Sequence, residues 1–236
     1  MIEHHTSKFV SGSLSYTIDR YADKAGAATR PVVVMLHGVD GLGTQSGVEI
    51  DKFAKQLAGE GFLVFVPHYF DAADGADTLP LPQVFALRVP RVGLYPPRIA
   101  AAMNHARTQP GADAGRLGLI GLSLGGGLAL QHAEGAPAGT IKALVDFFGY
   151  ISDQATLDNV SRLPPTLVLH NKADEIVKVP VSSKPLLAAL DKSTVIHDHE
   201  FYDDANPPTN HPFLPGGHAD VDSRSRSVKW MKTHLI

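Results

Sequence analysis

The sequence predicts an α/β protein: a mostly parallel, doubly wound sheet with helices on both faces and little or no cap. Three observations carry that expectation. Short apolar runs recur along the chain at Pro31–Leu36, Phe62–Val66, Leu117–Ile120, Ile141–Phe148 and Thr166–Leu169. The runs are continuous rather than alternating, as expected of strands buried on both faces. Segments with helical spacing separate several of them, and strand–helix alternation implies parallel neighbours joined by crossover helices.

Taken in order, Val10–Ile18 alternates loosely and suggests one or two opening strands. Ala22–Arg30 is small and polar and reads as a turn. Pro31–Leu36 is the first buried strand, ending in the flexible stretch His37-Gly38-Val39-Asp40-Gly41-Leu42-Gly43. Ser46–Glu60 has helical spacing, closed by Gly59 and Gly61, and Phe62–Val66 is the next strand. Asp71–Pro97 contains five prolines and reads as irregular. Ile99–Thr108 is a helix and Leu117–Ile120 a strand. Beyond the second Gly-rich turn, Ile141–Phe148 and Thr166–Leu169 are strands and Val181–Leu190 a helix after Pro180. Val195–Tyr202 is the last strand and Val221–Leu235 a closing helix. No internal repeat or linker divides the chain, so its 236 residues are expected to form one domain, 1–236.

Composition narrows the function. Apolar residues are 44% of the chain and charged residues 19%, enough for a sizeable core. Net charge is −3 and no Lys/Arg block exceeds two residues, which argues against nucleic acid or an anionic membrane as partner. No apolar run approaches membrane-spanning length, and Met1–His5 lacks the features of a signal peptide. The absence of cysteine excludes disulfides, thiolate metal sites and a cysteine nucleophile. A cytoplasmic location is the default expectation.

The most informative stretch is Arg116-Leu117-Gly118-Leu119-Ile120-Gly121-Leu122-Ser123-Leu124-Gly125, followed by an apolar helical segment. A strand, then Gly-x-Ser-x-Gly, then a helix is the order a nucleophile elbow needs. Small neighbours let strand and helix approach, and the new helix aims its N-terminal N–H groups where an oxyanion would form. A serine hydroxyl is a weak nucleophile until a base takes its proton, and an acid must fix that base.

In a doubly wound sheet, functional groups gather beyond the carboxyl ends of the strands. There the chain places Ser123, then Asp174 in Asn171-Lys172-Ala173-Asp174, then His211 and His218 after Tyr202. Serine, acid and histidine thus follow the order of α/β-hydrolases. Asp174 is the preferred acid; Asp146, inside an apolar strand, and Asp153, just after it, are rivals. His211 is the preferred base, with His218 as alternative. The backbone N–H groups of Leu124 and Val39 are the expected oxyanion donors, and His37 reads as a buried support for the second.

Other features are weaker. His197-x-His199 could hold a metal, but no third ligand accompanies it, so no metal is expected. Gly125-Gly126-Gly127 lacks the Lys-Ser/Thr ending of a phosphate loop and the spacing of a dinucleotide fingerprint, so no cofactor is expected. Arg88, Arg91 and Arg98 could line a substrate entrance or lie on the surface.

These residues resemble the dienelactone hydrolase family. The resemblance spans about Pro31–Leu235: the first strand with its glycine loop, Glu60-Gly61-Phe62 leading to Val66-Pro67-His68-Tyr69, the elbow Gly121-Leu122-Ser123-Leu124-Gly125-Gly126, Asn171-Lys172-Ala173-Asp174-Glu175-Ile176-Val177, and Tyr202-Asp203-Asp204-Ala205 leading to His211-Pro212-Phe213. It favours His211 over His218, although Pro207-Pro208-Thr209 lengthens the turn before it. Founding members carry a cysteine at the elbow and a glutamate after the first buried strand. Here the elbow holds Ser123, and His37-Gly38-Val39-Asp40 has no glutamate. The resemblance therefore implies a serine carboxylesterase acting on small esters or lactones rather than on dienelactone itself. The alternatives are another acyl bond, thioester or amide, or a silent binding protein of the same fold.

Overall fold

A computed structural model describes residues 1–151 and 153–236. The chain forms two compact units, Met1–Gly118 and Leu119–Ile236.

In the first unit, β1 (Ile2–Ser11) and β2 (Leu14–Asp23) form an antiparallel hairpin, with Ser11 opposite Leu14. The opening strands thus begin well before Val10. Most of β1 faces water, so its polar sequence carries little apolar alternation to read. β2 pairs antiparallel with β4 (Leu63–Pro67), which pairs in parallel with β3 (Arg30–Leu36). Every residue of β3 and β4 is buried, which is why Pro31–Leu36 and Leu63–Pro67 are unbroken apolar runs. Between them α1 (Gln45–Gly59) buries Ile50, Phe53, Ala54 and Leu57, a stripe at helical spacing.

Residues 71–97 are not irregular. They contain α2 (Leu81–Arg88), 3₁₀ turns at Ala72–Asp74 and Val89–Leu94, and the start of α3 (Tyr95–Arg107). Pro80 stands just before α2, and Pro82, Pro90, Pro96 and Pro97 occupy first-turn positions, where a missing N–H costs nothing and the fixed φ suits the helix.

β5 (Ala112–Leu122) leads into the second unit, where α4 (Leu124–Gly135), β6 (Ile141–Phe147), the short α5 (Gln154–Asp158), β7 (Thr166–Asn171), α6 (Ser183–Leu190), β8 (His197–Tyr202) and α7 (His218–Leu235) follow. β6, β7 and β8 are successive parallel neighbours, Leu144 facing Thr166 and Thr166 facing His197. Their carboxyl ends therefore open on one edge.

Candidate active site

Ser123 stands between the end of β5 and the start of α4 with φ 54° and ψ −116°. A side-chain-bearing residue adopts that left-handed backbone only under constraint, and the surrounding chain supplies it. The Ser123 N–H donates to the Phe147 carbonyl at 2.9 Å, and its carbonyl accepts from Gly126, Gly127 and Tyr150 N–H groups. The approach is close. A Cβ on Gly121 would lie 2.3 Å from the Gly125 carbonyl oxygen, and one on Gly126 would lie 2.6 Å from the Gly149 Cα. Backbone atoms cannot step aside, so glycine is required at both positions. Leu124 is the first residue of α4, so its N–H has no acceptor within its own helix.

Asp174 lies in the turn after β7. Its Oδ1 accepts from the N–H groups of Ile176 at 2.8 Å and Val177 at 2.9 Å. Its Oδ2 lies 2.5 Å from His211 Nδ1 and 3.1 Å from His170 Nε2. Burial by itself would raise this carboxyl, but the hydrogen bonds from His170 and His211 outweigh burial and hold it at about 2. Asp174 is therefore a carboxylate at neutral pH.

His211 completes the line. Its Nε2 lies 3.0 Å from Ser123 Oγ, and the Phe148 ring meets it edge-on with centroids 4.6 Å apart. The long loop that carries it is pinned to the Asp174 turn. Asn171 Nδ2 donates to the Asp204 carbonyl, Glu175 N–H to that of Thr209 at 2.9 Å, and Asn210 Nδ2 to that of Ala173 at 3.3 Å. The Pro207-Pro208-Thr209 extension is thus part of the attachment between the two loops.

The rivals stand elsewhere. His218 is not in a loop but opens α7, largely exposed, with its Nδ1 3.8 Å from Asp204 Oδ1. Asp153 caps α5 through the Ala155 N–H at 2.9 Å. Asp146 is fully buried behind the elbow, and burial pushes its carboxyl up to about 7. Neither of its oxygens makes a well-formed hydrogen bond among the described residues, and the nearby Gly149 N–H offsets the effect of burial only in part. His197 is engaged by Asp191 and by the Val195 carbonyl, and no group of three metal-binding side chains stands together among the described residues.

In the first unit, Val39 is buried and His37 is packed on Tyr69, rings stacked 4.0 Å apart. Burial holds the His37 imidazole down at about 3, so it is neutral. Its Nδ1 lies 2.9 Å from the Gly38 carbonyl, and the Tyr69 hydroxyl donates to the His37 carbonyl at 2.5 Å. Arg88 and Arg98 are buried, Arg91 is 27% exposed, and all three are engaged by aspartates. Arg91 and Arg98 converge on the fully buried Asp74 and on Asp71, and Arg88 pairs with Asp77 at 2.6 Å. Sequence reading missed these pairs because the three aspartates look like ordinary loop residues. It also missed His170, although a histidine at a strand end four residues before the acid was a usable signal.

A mixed, mostly parallel sheet interleaved with helices, with a serine on a strand-to-helix turn, defines an α/β-hydrolase. The dienelactone hydrolase family model matches residues 18–235, and the chain belongs to that family. No significant match was found among curated proteins. A provisionally assigned dienelactone hydrolase from Klebsiella pneumoniae subsp. pneumoniae superposes with a TM-score of 0.82 at 19% identity, over 98% of this chain and 99% of that one. A dienelactone hydrolase-like promiscuous phosphotriesterase from metagenomic libraries gives 0.79 at 19% identity, over 100% and 99%. The acylaminoacyl peptidase of Pyrococcus horikoshii gives 0.76 at 16%, over 99% of this chain but 42% of that one. At such identities the likeness speaks for the fold alone.

Proposed function

We propose that this family member is a serine hydrolase that cleaves carboxylic esters or lactones of small molecules through an acyl-enzyme on Ser123. The observation that carries the reading is the hydrogen-bonded line from Ser123 Oγ to His211 Nε2 at 3.0 Å and from His211 Nδ1 to Asp174 Oδ2 at 2.5 Å.

In the proposed reaction His211 takes the Ser123 proton as Oγ attacks the acyl carbon. Asp174 fixes the imidazole tautomer and stabilises the imidazolium. The N–H groups of Leu124 and Val39 are the proposed donors to the oxyanion. Collapse of the tetrahedral species breaks the bond to the alkoxy oxygen, which leaves with the proton from His211. Water then attacks the acyl-enzyme with the same histidine as base, releasing the acid and restoring Ser123. In a lactone the leaving oxygen stays tethered and one product results. The chemistry calls for no metal or cofactor.

The serine at the elbow and the missing glutamate in His37-Gly38-Val39-Asp40 favour esters in general over dienelactone. A serine needs no partner to hold and release a thiolate. Hydrolysis of p-nitrophenyl acetate and butyrate by the wild type and by Ser123→Ala tests the proposal. Turnover reduced by about 10⁴-fold or more in the variant supports it; unchanged turnover refutes it.

A further inference from the structure

Asp174 faces two imidazoles, and we propose that the second, His170, is a positioning residue that holds the Asp174 carboxylate for His211. The inference rests on the Ser123–His211–Asp174 reading above.

His170 lies in β7 and is completely buried. Its Nε2 is 2.8 Å from the Val177 carbonyl oxygen and 3.1 Å from Asp174 Oδ2. A carbonyl and a carboxylate only accept, so the hydrogen sits on Nε2 and is shared between them. On the other side, Nδ1 is 2.6 Å from the Oγ of Ser183, the first residue of α6, whose hydroxyl can donate to it. The ring is therefore held at both nitrogens by groups on two different segments.

The consequence lies at Asp174. Its Oδ1 is held by two backbone N–H groups, and its Oδ2 is shared between His170 and His211. With His170 in place each oxygen meets two donors, and the carboxylate plane cannot turn without breaking one. Without His170, Oδ2 would answer to His211 alone and could follow that ring as it gains and loses a proton. A buried imidazole is costly unless its polar atoms are matched, and here they are matched by the proposed acid and its own turn. His170 touches no reacting atom; it acts through Asp174.

Two substitutions separate this role from simple packing. His170→Gln carries an amide N–H to about where Nε2 lies, within reach of Asp174. His170→Asn keeps a polar group toward Ser183 but is too short to reach Asp174. With p-nitrophenyl butyrate, His170→Asn is expected to lower kcat about tenfold with KM unchanged, as for loss of one hydrogen bond to a charged group. His170→Gln should restore most of that loss. Proton NMR gives a readout independent of turnover: the low-field His211 Nδ1 proton should move in His170→Asn and return in His170→Gln. Wild-type kcat in His170→Asn, equal loss in both variants, or an unmoved resonance overturns the inference. If Ser123→Ala keeps full turnover, the esterase reading fails, and the NMR comparison alone decides for His170. Should His170→Asn fail to fold, Ser183→Ala tests the same anchor from its far side. A loss of about threefold in kcat supports the role; an unchanged kcat overturns it.

Discussion

Arg88 Nη1 donates to the Val39 carbonyl at 2.7 Å from a side chain that is completely buried. The same guanidinium reaches the carbonyls of Asp74 at 3.0 Å and Gly75 at 2.9 Å, and the Asp77 carboxylate at 2.6 Å. Asp77 in turn accepts from the N–H groups of Leu42 at 2.9 Å and Gly43 at 2.7 Å. One ion pair thus ties down both arms of the loop that holds Val39, and Arg88 packs 4.2 Å from the Phe70 ring centroid as well.

Arg88→Met therefore strands Asp77 and three carbonyls at once. Removing one partner of a buried ion pair costs about 3 kcal/mol or more, and urea unfolding should show it as a lower midpoint. Arg88→Lys keeps the charge but not the fork, so it should recover only part of the loss. An unchanged midpoint in Arg88→Met would show that the loop does not depend on this pair.

At the elbow, Gly121→Ala places a methyl group 2.3 Å from the Gly125 carbonyl oxygen. The turn must open to admit it, which moves Ser123 relative to His211. Ester turnover should fall by about 100-fold, since displacement on the order of 1 Å costs that much. Full turnover in Gly121→Ala would mean the turn is looser than its contacts imply.

Asp146 makes stability depend on pH. Its carboxyl is raised from the ordinary carboxylate range to about 7 by burial. Below that range both folded and unfolded chains hold the proton, and stability is unaffected. As pH rises toward 7 the unfolded chain releases the proton first, so folding is progressively penalised; above 7 the penalty is constant. Asp146→Asn removes the titration. The difference in stability between the variant and the wild type should drift in the variant's favour from about pH 4 to 7 and level off above. Parallel stability curves would contradict the burial argument.

The two candidate histidines should behave oppositely. His211→Ala should abolish ester turnover, and His218→Ala, at the exposed start of α7, should leave it near wild type. Loss of turnover in His218→Ala alone would reassign the base.

What could be read from sequence follows from where each residue is buried. β3 and β4 announce themselves because Val32–Leu36 and Leu63–Val66 are covered on both faces. The β1–β2 hairpin does not, because Ile2–Ser11 mostly faces water. The helices in residues 71–97 are obscured by prolines, which local rules treat as breaks although here they stand at helix starts. Ser123, Asp174 and His211 stand out by order along the chain, each beyond a strand, and the three side chains lie within hydrogen-bond distance of one another in sequence from serine to acid. The Arg88–Val39 contact spans 49 residues, and nothing local to either residue signals it. His170 differs: its place at a strand end four residues before Asp174 is a local signal, but its ring partners are visible only in the folded chain.

The whole proposed reaction turns on Ser123 as the nucleophile. Covalent labelling with a fluorophosphonate, followed by mass spectrometric mapping of the modified residue, decides this. One adduct per chain on Ser123, lost in Ser123→Ala and greatly slowed in His211→Ala, is expected. A stoichiometric adduct on any other residue, or no adduct on a folded protein, would contradict it.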